Sequence, residues 1–131
     1  MAEPRAILHV CITCRAGQRL NEGESPPGAH LFAAISALLE SADDPPVELR
    51  EVTCLASCER GCAAAISMQG KWSYLLGRLS VPKAADLLAY AAAYRASKTG
   101  TVMPSRRPAS LAEMILARFP AQEQLAQERA A

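Results

Sequence analysis

Apolar residues come in short, separated runs whose spacing predicts an alternation of strands and helices. Ala6 to Val10 is a nearly continuous apolar run leading into Cys11, the pattern of a buried strand. The polar stretch Arg15 to Gly28 follows, with glycines at 17, 23 and 28 and the pair Pro26-Pro27, which reads as a loop. Loops this long tend to be functional or mobile. From Ala29 to Leu39 the apolar residues Leu31, Phe32, Ile35, Leu38 and Leu39 line one face of an amphipathic helix. Asp43-Asp44-Pro45-Pro46 ends it. Val47 to Val52 alternates apolar and polar, as a half-buried strand does. Ala63 to Met68 predicts a strand, Gln69-Gly70-Lys71 a tight turn and Trp72 to Leu76 its hairpin partner. Trp72 and Tyr74, alternating with Ser73, mark a core or interface face. Ser80 is placed to cap a second helix, Val81 to Ala96, with Pro82 in its first turn. Lys98 to Pro108 reads as a linker. Ser110-Leu111-Ala112-Glu113 has the form of a capping box, and Leu111, Met114, Ile115 and Phe119 share one face of a third helix.

The order strand, helix, strand, strand, strand, helix is the minimal thioredoxin-like α/β plan. A βαβ unit would make the first two strands parallel, and the hairpin would add two antiparallel ones. The expected architecture is a mixed four-stranded sheet over residues 1–97, with a linker and an appended C-terminal helix over 98–131. In this plan the loop after the first strand and the loop before the third lie at the same end of the sheet.

A chain of 131 residues is long enough to bury a core without disulfide staples. Its net charge of +1 gives no electrostatic case for nucleic acid or a membrane surface, and Arg106-Arg107 is too short a basic run to change that. No apolar run approaches the ~18 residues of a membrane span, and the N-terminal one is too short for a signal peptide. A cytoplasmic location is expected, where clustered cysteines favour metal binding or redox chemistry over structural disulfides.

The five cysteines form two groups, and both fall in the loops that the plan brings together. Cys11-Ile12-Thr13-Cys14 follows the first strand, and Cys54, Cys58 and Cys62 precede the third. Four thiolates from two such loops make a cage for zinc or an iron–sulfur cluster, and spacing alone does not choose between them. A four-cysteine zinc site would make the chain a structural or metal-handling module. Thiol–disulfide chemistry is the third option, because Cys11 to Cys14 occupies the Cys-x-x-Cys place of a thioredoxin. Against it, the first helix is expected some fourteen residues later, so no helix N-terminus would stabilise the thiolate. His9 lies on a strand and His30 opens a helix, and neither follows a cysteine as a Rieske ligand would. Arg15, Arg19 and Arg60 flank the cysteine groups, where cations would favour the reduced form of an anionic cluster.

Residues 54–61, Cys-Leu-Ala-Ser-Cys-Glu-Arg-Gly, followed by a strand, Gly70-Lys71-Trp72, a second strand and a helix, resemble the second half of the thioredoxin-like [2Fe-2S] ferredoxins. The short strand ending at Cys11 resembles their beginning, and the likeness extends over about residues 6 to 96. The chain is also similar to small bacterial proteins described as metal-binding. The resemblance implies that Cys11, Cys54 and Cys58 are ligands. The loop from Arg15 to Gly28 has no cysteine, which leaves Cys14 as the second ligand of the first group. Cys62 stands where the family usually has proline; it is the substitute ligand or a small buried hydrophobe. The resemblance also implies one-electron transfer, no substrate chemistry of the chain's own, a reductase and an acceptor enzyme as partners, and a homodimer.

Overall fold

The structure is a computed structural model, and it describes residues 5–121. Five strands form one sheet: β1 (Ile7–Cys11), β2 (Glu48–Val52), β3 (Ala64–Ser67), β4 (Ser73–Leu76) and β5 (Ile115–Phe119). Among the described residues there are also two α-helices, α1 (Pro27–Glu40) and α2 (Ala84–Ala96), with short 3-10 turns between elements. The sheet order is β2-β1-β3-β4-β5. As the βαβ reading expects, β1 and β2 are parallel, with Ile7 opposite Glu48 and Cys11 opposite Val52. The β1–β3, β3–β4 and β4–β5 pairs are antiparallel.

Strand alternation divides the sheet into two faces. Leu8 and Val10 of β1 pair with Ile66 and Ala64 of β3, which pair in turn with Tyr74 and Leu76 of β4. All six are buried, and the helices pack on this side. Leu31 and Ile35 of α1 and Leu87, Tyr90, Ala91 and Tyr94 of α2 fill the layer. The Tyr74 ring meets Tyr90 and Tyr94 edge-on at 5.9 and 6.4 Å, favourable geometry for aromatic quadrupoles. The opposite face, with His9, Ala65 and Leu75, is half-buried. Among the described residues no helix is long and apolar enough to cross a membrane.

The tyrosine layer sets an alkaline limit. Burial, with Tyr74 nearby, pushes the Tyr94 phenol from 10.0 up to about 12, and burial pushes Tyr90 higher still. The folded state therefore keeps protons that the unfolded chain releases above its ordinary value, so stability is intact below pH 10 and falls as pH rises toward 12. Phenolate absorbance and far-ultraviolet circular dichroism should change together in an alkaline titration. Ionisation of Tyr90 and Tyr94 near pH 10 with the fold intact would contradict this packing.

The C-terminal segment differs from the sequence expectation: the sheet has five strands rather than four, and the described residues 110–119 form no α-helix. Residues Ala109–Leu111 make a 3-10 turn, and Ile115–Phe119 is a strand on the outer edge of β4. The Ser110 hydroxyl does not cap a helix; it donates to Asp86 Oδ2 at 2.5 Å. Without tertiary support a helix of about ten residues is marginal in water, whereas the open edge of β4 offers a full row of backbone partners. The register shift between Leu75 and Leu76 explains the mimicry. The bulge lets Leu116 pack beside Gly77, so the apolar residues lose strict strand alternation. Leu111 and Val102 of the same segment are fully buried.

Candidate thiol centre

The first cysteine group is placed by the central strand. β1 ends at Cys11, whose N–H donates to Ala63 O at 3.0 Å, while the next N–H, of Ile12, donates to Val52 O at 3.0 Å. The Cys11 thiol points toward the β2 side, with Thr53 O at 3.5 Å and Thr13 Oγ1 at 3.6 Å. The Thr13 hydroxyl also donates to Thr53 O, which joins the first cysteine turn to the entry of the second loop. Cys14 closes the turn and is buried with Cys11.

The first helix is not remote from this turn, contrary to what its sequence separation suggests. The loop over 15–26 folds back, and the N-terminus of α1 lands on the Cys11–Cys14 segment. Gly28 N–H donates to Cys14 O at 2.9 Å. A Cβ on Gly28 would lie 2.0 Å from Cys11 O and 3.1 Å from both Cys14 Cβ and Cys14 N. Only glycine permits this approach. Pro27, at the first helical position, lacks an N–H that the helix would leave unpaired. Gly28 is a positioning residue that sequence reading missed; its signal is a glycine just inside a helix that begins with two prolines.

The second group is spread along the loop from β2 to β3. Cys54 is exposed, and its sulfur accepts the Ala56 N–H at 3.2 Å. Ala56 has φ 57°, the left-handed conformation of a tight loop. Cys58 begins the 3-10 turn Cys58–Arg60, and its side chain lies outside the described part of the structure. Cys62 precedes β3, is 1% exposed, and exchanges backbone hydrogen bonds with Leu79 (N–H to O, 3.4 Å; O from N–H, 3.0 Å). The Gly61–Cys62 peptide is cis.

Cys11, Cys14 and Cys62 belong to the same buried core. The Cys62 thiol is pushed up to about 11, first by burial and then by the neighbouring thiols of Cys14 and Cys11. The structure thus gathers the first cysteine pair with Cys62 and leaves Cys54 at the surface nearby. The described cysteines are all free thiols, and among the described residues no group of three or more His, Cys, Asp or Glu side chains is placed to hold a metal ion. Arg15, Arg19 and Arg60 are exposed. His9 lies mid-strand, opposite Arg50 and Ala65, and His30 is on the exposed side of α1, so neither reaches the thiols through its element.

Sheet order, the parallel first pair, the hairpin and the two helices define a thioredoxin-like α/β protein. Its fold is shared with the thioredoxin-like [2Fe-2S] ferredoxin from Aquifex aeolicus, with a TM-score of 0.53 over 87% of this chain and 92% of that one, at 11% sequence identity. The chain belongs to the family described as Protein of unknown function (DUF1636), whose model matches residues 8–121. No curated protein matches it.

Proposed function

We propose that this protein is a small electron carrier that holds a [2Fe-2S] cluster among the cysteines at one end of its sheet. The observation that carries the reading is the convergence of two distant segments, the Cys11–Cys14 turn and the 54–62 loop, at the ends of β1, β2 and β3. The donor chemistry suits the group, five soft thiols on two segments, while among the described residues no three of them stand as a metal-holding group. Cys11 and Cys14 would supply one side and the 54–62 loop the other. When bound, such a cluster accepts and returns one electron.

The chain's own residues define the surroundings. Burial of Cys11 and Cys14 keeps water from that side, and the exposed Cys54 end lies where a partner could approach. The Ala56 N–H aimed at the Cys54 sulfur is the type of bond that moderates thiolate charge and tunes potential. In this reading the chain has no substrate, and its partners are a reductase and an acceptor enzyme. The thioredoxin-like [2Fe-2S] ferredoxin from Aquifex aeolicus supports the reading through the fold it shares with this chain.

Anaerobic purification tests it. The expected product is red-brown, contains iron and acid-labile sulfide in equal amounts, and bleaches with dithionite. Cys11→Ser should lose most of the iron and the visible bands. A colourless protein with stoichiometric zinc would sink the electron-carrier reading in favour of a zinc module.

A further inference from the structure

The chain's net charge is +1, but the fold sorts the charges that cancel to give it. From Glu40 to Glu51, the end of α1 through β2, five acidic residues meet one base, Arg50. Between Asp86 and Glu113 stand Arg95, Lys98, Arg106 and Arg107 and no acidic residue, and β5 adds Arg118. β2 and β5 are the two edges of the sheet. They lie four strand spacings apart, about 19 Å, more than twice the ~8 Å Debye length at physiological ionic strength. The acids of one margin therefore do not neutralise the bases of the other. We propose that the β4–β5 margin, centred on Arg118 with Lys98 and Arg106, is a docking surface for an acidic segment of a partner protein. The surface is independent of the cluster proposed above.

Local contacts hold these cations in place. The Arg118 guanidinium lies over the Trp72 ring, 4.6 Å from its centroid. Such stacking orients the planar fork and leaves its N–H edge for a carboxylate. The loop bearing Lys98 is pressed on the same tryptophan. Trp72 N–H donates to Thr99 O at 2.9 Å, and a Cβ on Gly100 would lie 2.7 Å from Lys71 Cβ and 2.9 Å from Trp72 N. Further along, Val102 N–H donates to the Tyr74 hydroxyl, and Arg107 Nε–H donates to Val102 O at 2.9 Å. These bonds seat the 3-10 turn Pro104–Arg106 beside the tyrosine layer, and Tyr74 is itself the register partner of Arg118. Other bases nearby are already engaged. Lys71 Nζ donates to Arg95 O at 2.7 Å, and Arg95 reaches Asp44 at 3.5 Å. Lys98, Arg106 and Arg118 are exposed and, among the described residues, in no ion pair.

Protein carboxylates suit this margin better than a nucleic-acid strand does. A strand needs aromatic faces for its bases as well as cations for its phosphates. Here Arg118 covers the Trp72 face. The exposed Phe119 pairs with Ser73 while Arg118 pairs with Tyr74, so the two side chains point to opposite faces of the sheet. The surface sits at the start of β4, whose far end, Leu76, pairs with Ala64 just after Cys62. A partner held there leaves the Cys54 end of the sheet open.

Fluorescence anisotropy of fluorescein-labelled octaglutamate, titrated with the full-length chain, tests the proposal. Wild type should bind saturably at ~20 mM salt and lose most of that binding by ~300 mM, as screening requires. Arg118→Gln should bind at least ~5-fold more weakly, and so should the Lys98→Ala, Arg106→Ala double variant. Arg50→Gln, on the opposite margin, should match wild type. Circular dichroism establishes that each variant folds, and the double variant keeps the proposal testable where loss of the Trp72 stack disturbs β5. No saturable binding by wild type, or wild-type affinity in the folded variants, would overturn the proposal. Tighter binding of labelled octathymidylate than of octaglutamate would overturn it in favour of nucleic acid. Salt-sensitive self-association in sedimentation velocity, abolished by Arg118→Gln, would overturn it in favour of the acidic margin of a second copy.

Discussion

Replacing Gly28 with alanine is expected to destabilise the protein by about 3 kcal/mol or more, with a fall in melting temperature of roughly 10 °C. The added methyl would lie 2.0 Å from the carbonyl oxygen of Cys11 and 3.1 Å from Cys14 N, and these are backbone atoms with no rotamer to yield. Relief requires α1 to move off the turn, which breaks the Gly28 N–H to Cys14 O bond of 2.9 Å and shifts Leu31 and Ile35 in the core. The same movement displaces Cys14, so metal content should fall along with stability. Urea unfolding of wild type and G28A, with iron or cobalt stoichiometry on the folded fraction, checks both effects. An unchanged denaturation midpoint would show that the helix does not press on the cysteine turn.

A chain ended after Ser97 is expected not to fold cooperatively. The segment beyond it supplies Val102 and Leu111, both fully buried, and covers the outer edge of β4 with β5. Val102 N–H donates to the Tyr74 hydroxyl at 3.3 Å, and Gly77 N–H donates to Met114 O at 2.8 Å. Removing one large buried aliphatic side chain costs about 2–5 kcal/mol, so losing these two together with an edge strand consumes much of the 5–15 kcal/mol that a typical domain possesses. Thermal denaturation followed by circular dichroism distinguishes the outcomes. A sharp transition at the wild-type temperature would mean that residues 1–97 are self-sufficient, as the composition of the linker suggests.

Both effects arise from contacts between residues far apart in the chain, and such contacts also separate what was legible in the sequence from what was not. The segment 110–119 satisfies a helical pattern through Leu111, Met114, Ile115 and Phe119. The same spacing arises from a 3-10 turn followed by a bulged strand, and a bulge shifts apolar positions by one residue. Nothing local distinguishes the two; the unpaired edge of β4 does. The fourteen-residue gap after Cys14 likewise suggests a distant helix. Its fold-back depends on Gly28 accepting the Cys11 carbonyl at close range, a property of the packed state.

By itself the sequence determined the two helices, the first four strands and their order, because hydrophobic period and turn residues act over a few positions. Through that order it placed both cysteine groups at one end of a thioredoxin-like sheet. Tertiary structure alone decided the fifth strand, the seating of α1 on the first cysteine turn, and the division of the four described thiols into buried Cys11, Cys14 and Cys62 and an exposed Cys54. Strand register and burial are settled only when distant segments meet, so spacing can show that thiols will gather but not which of them face one another.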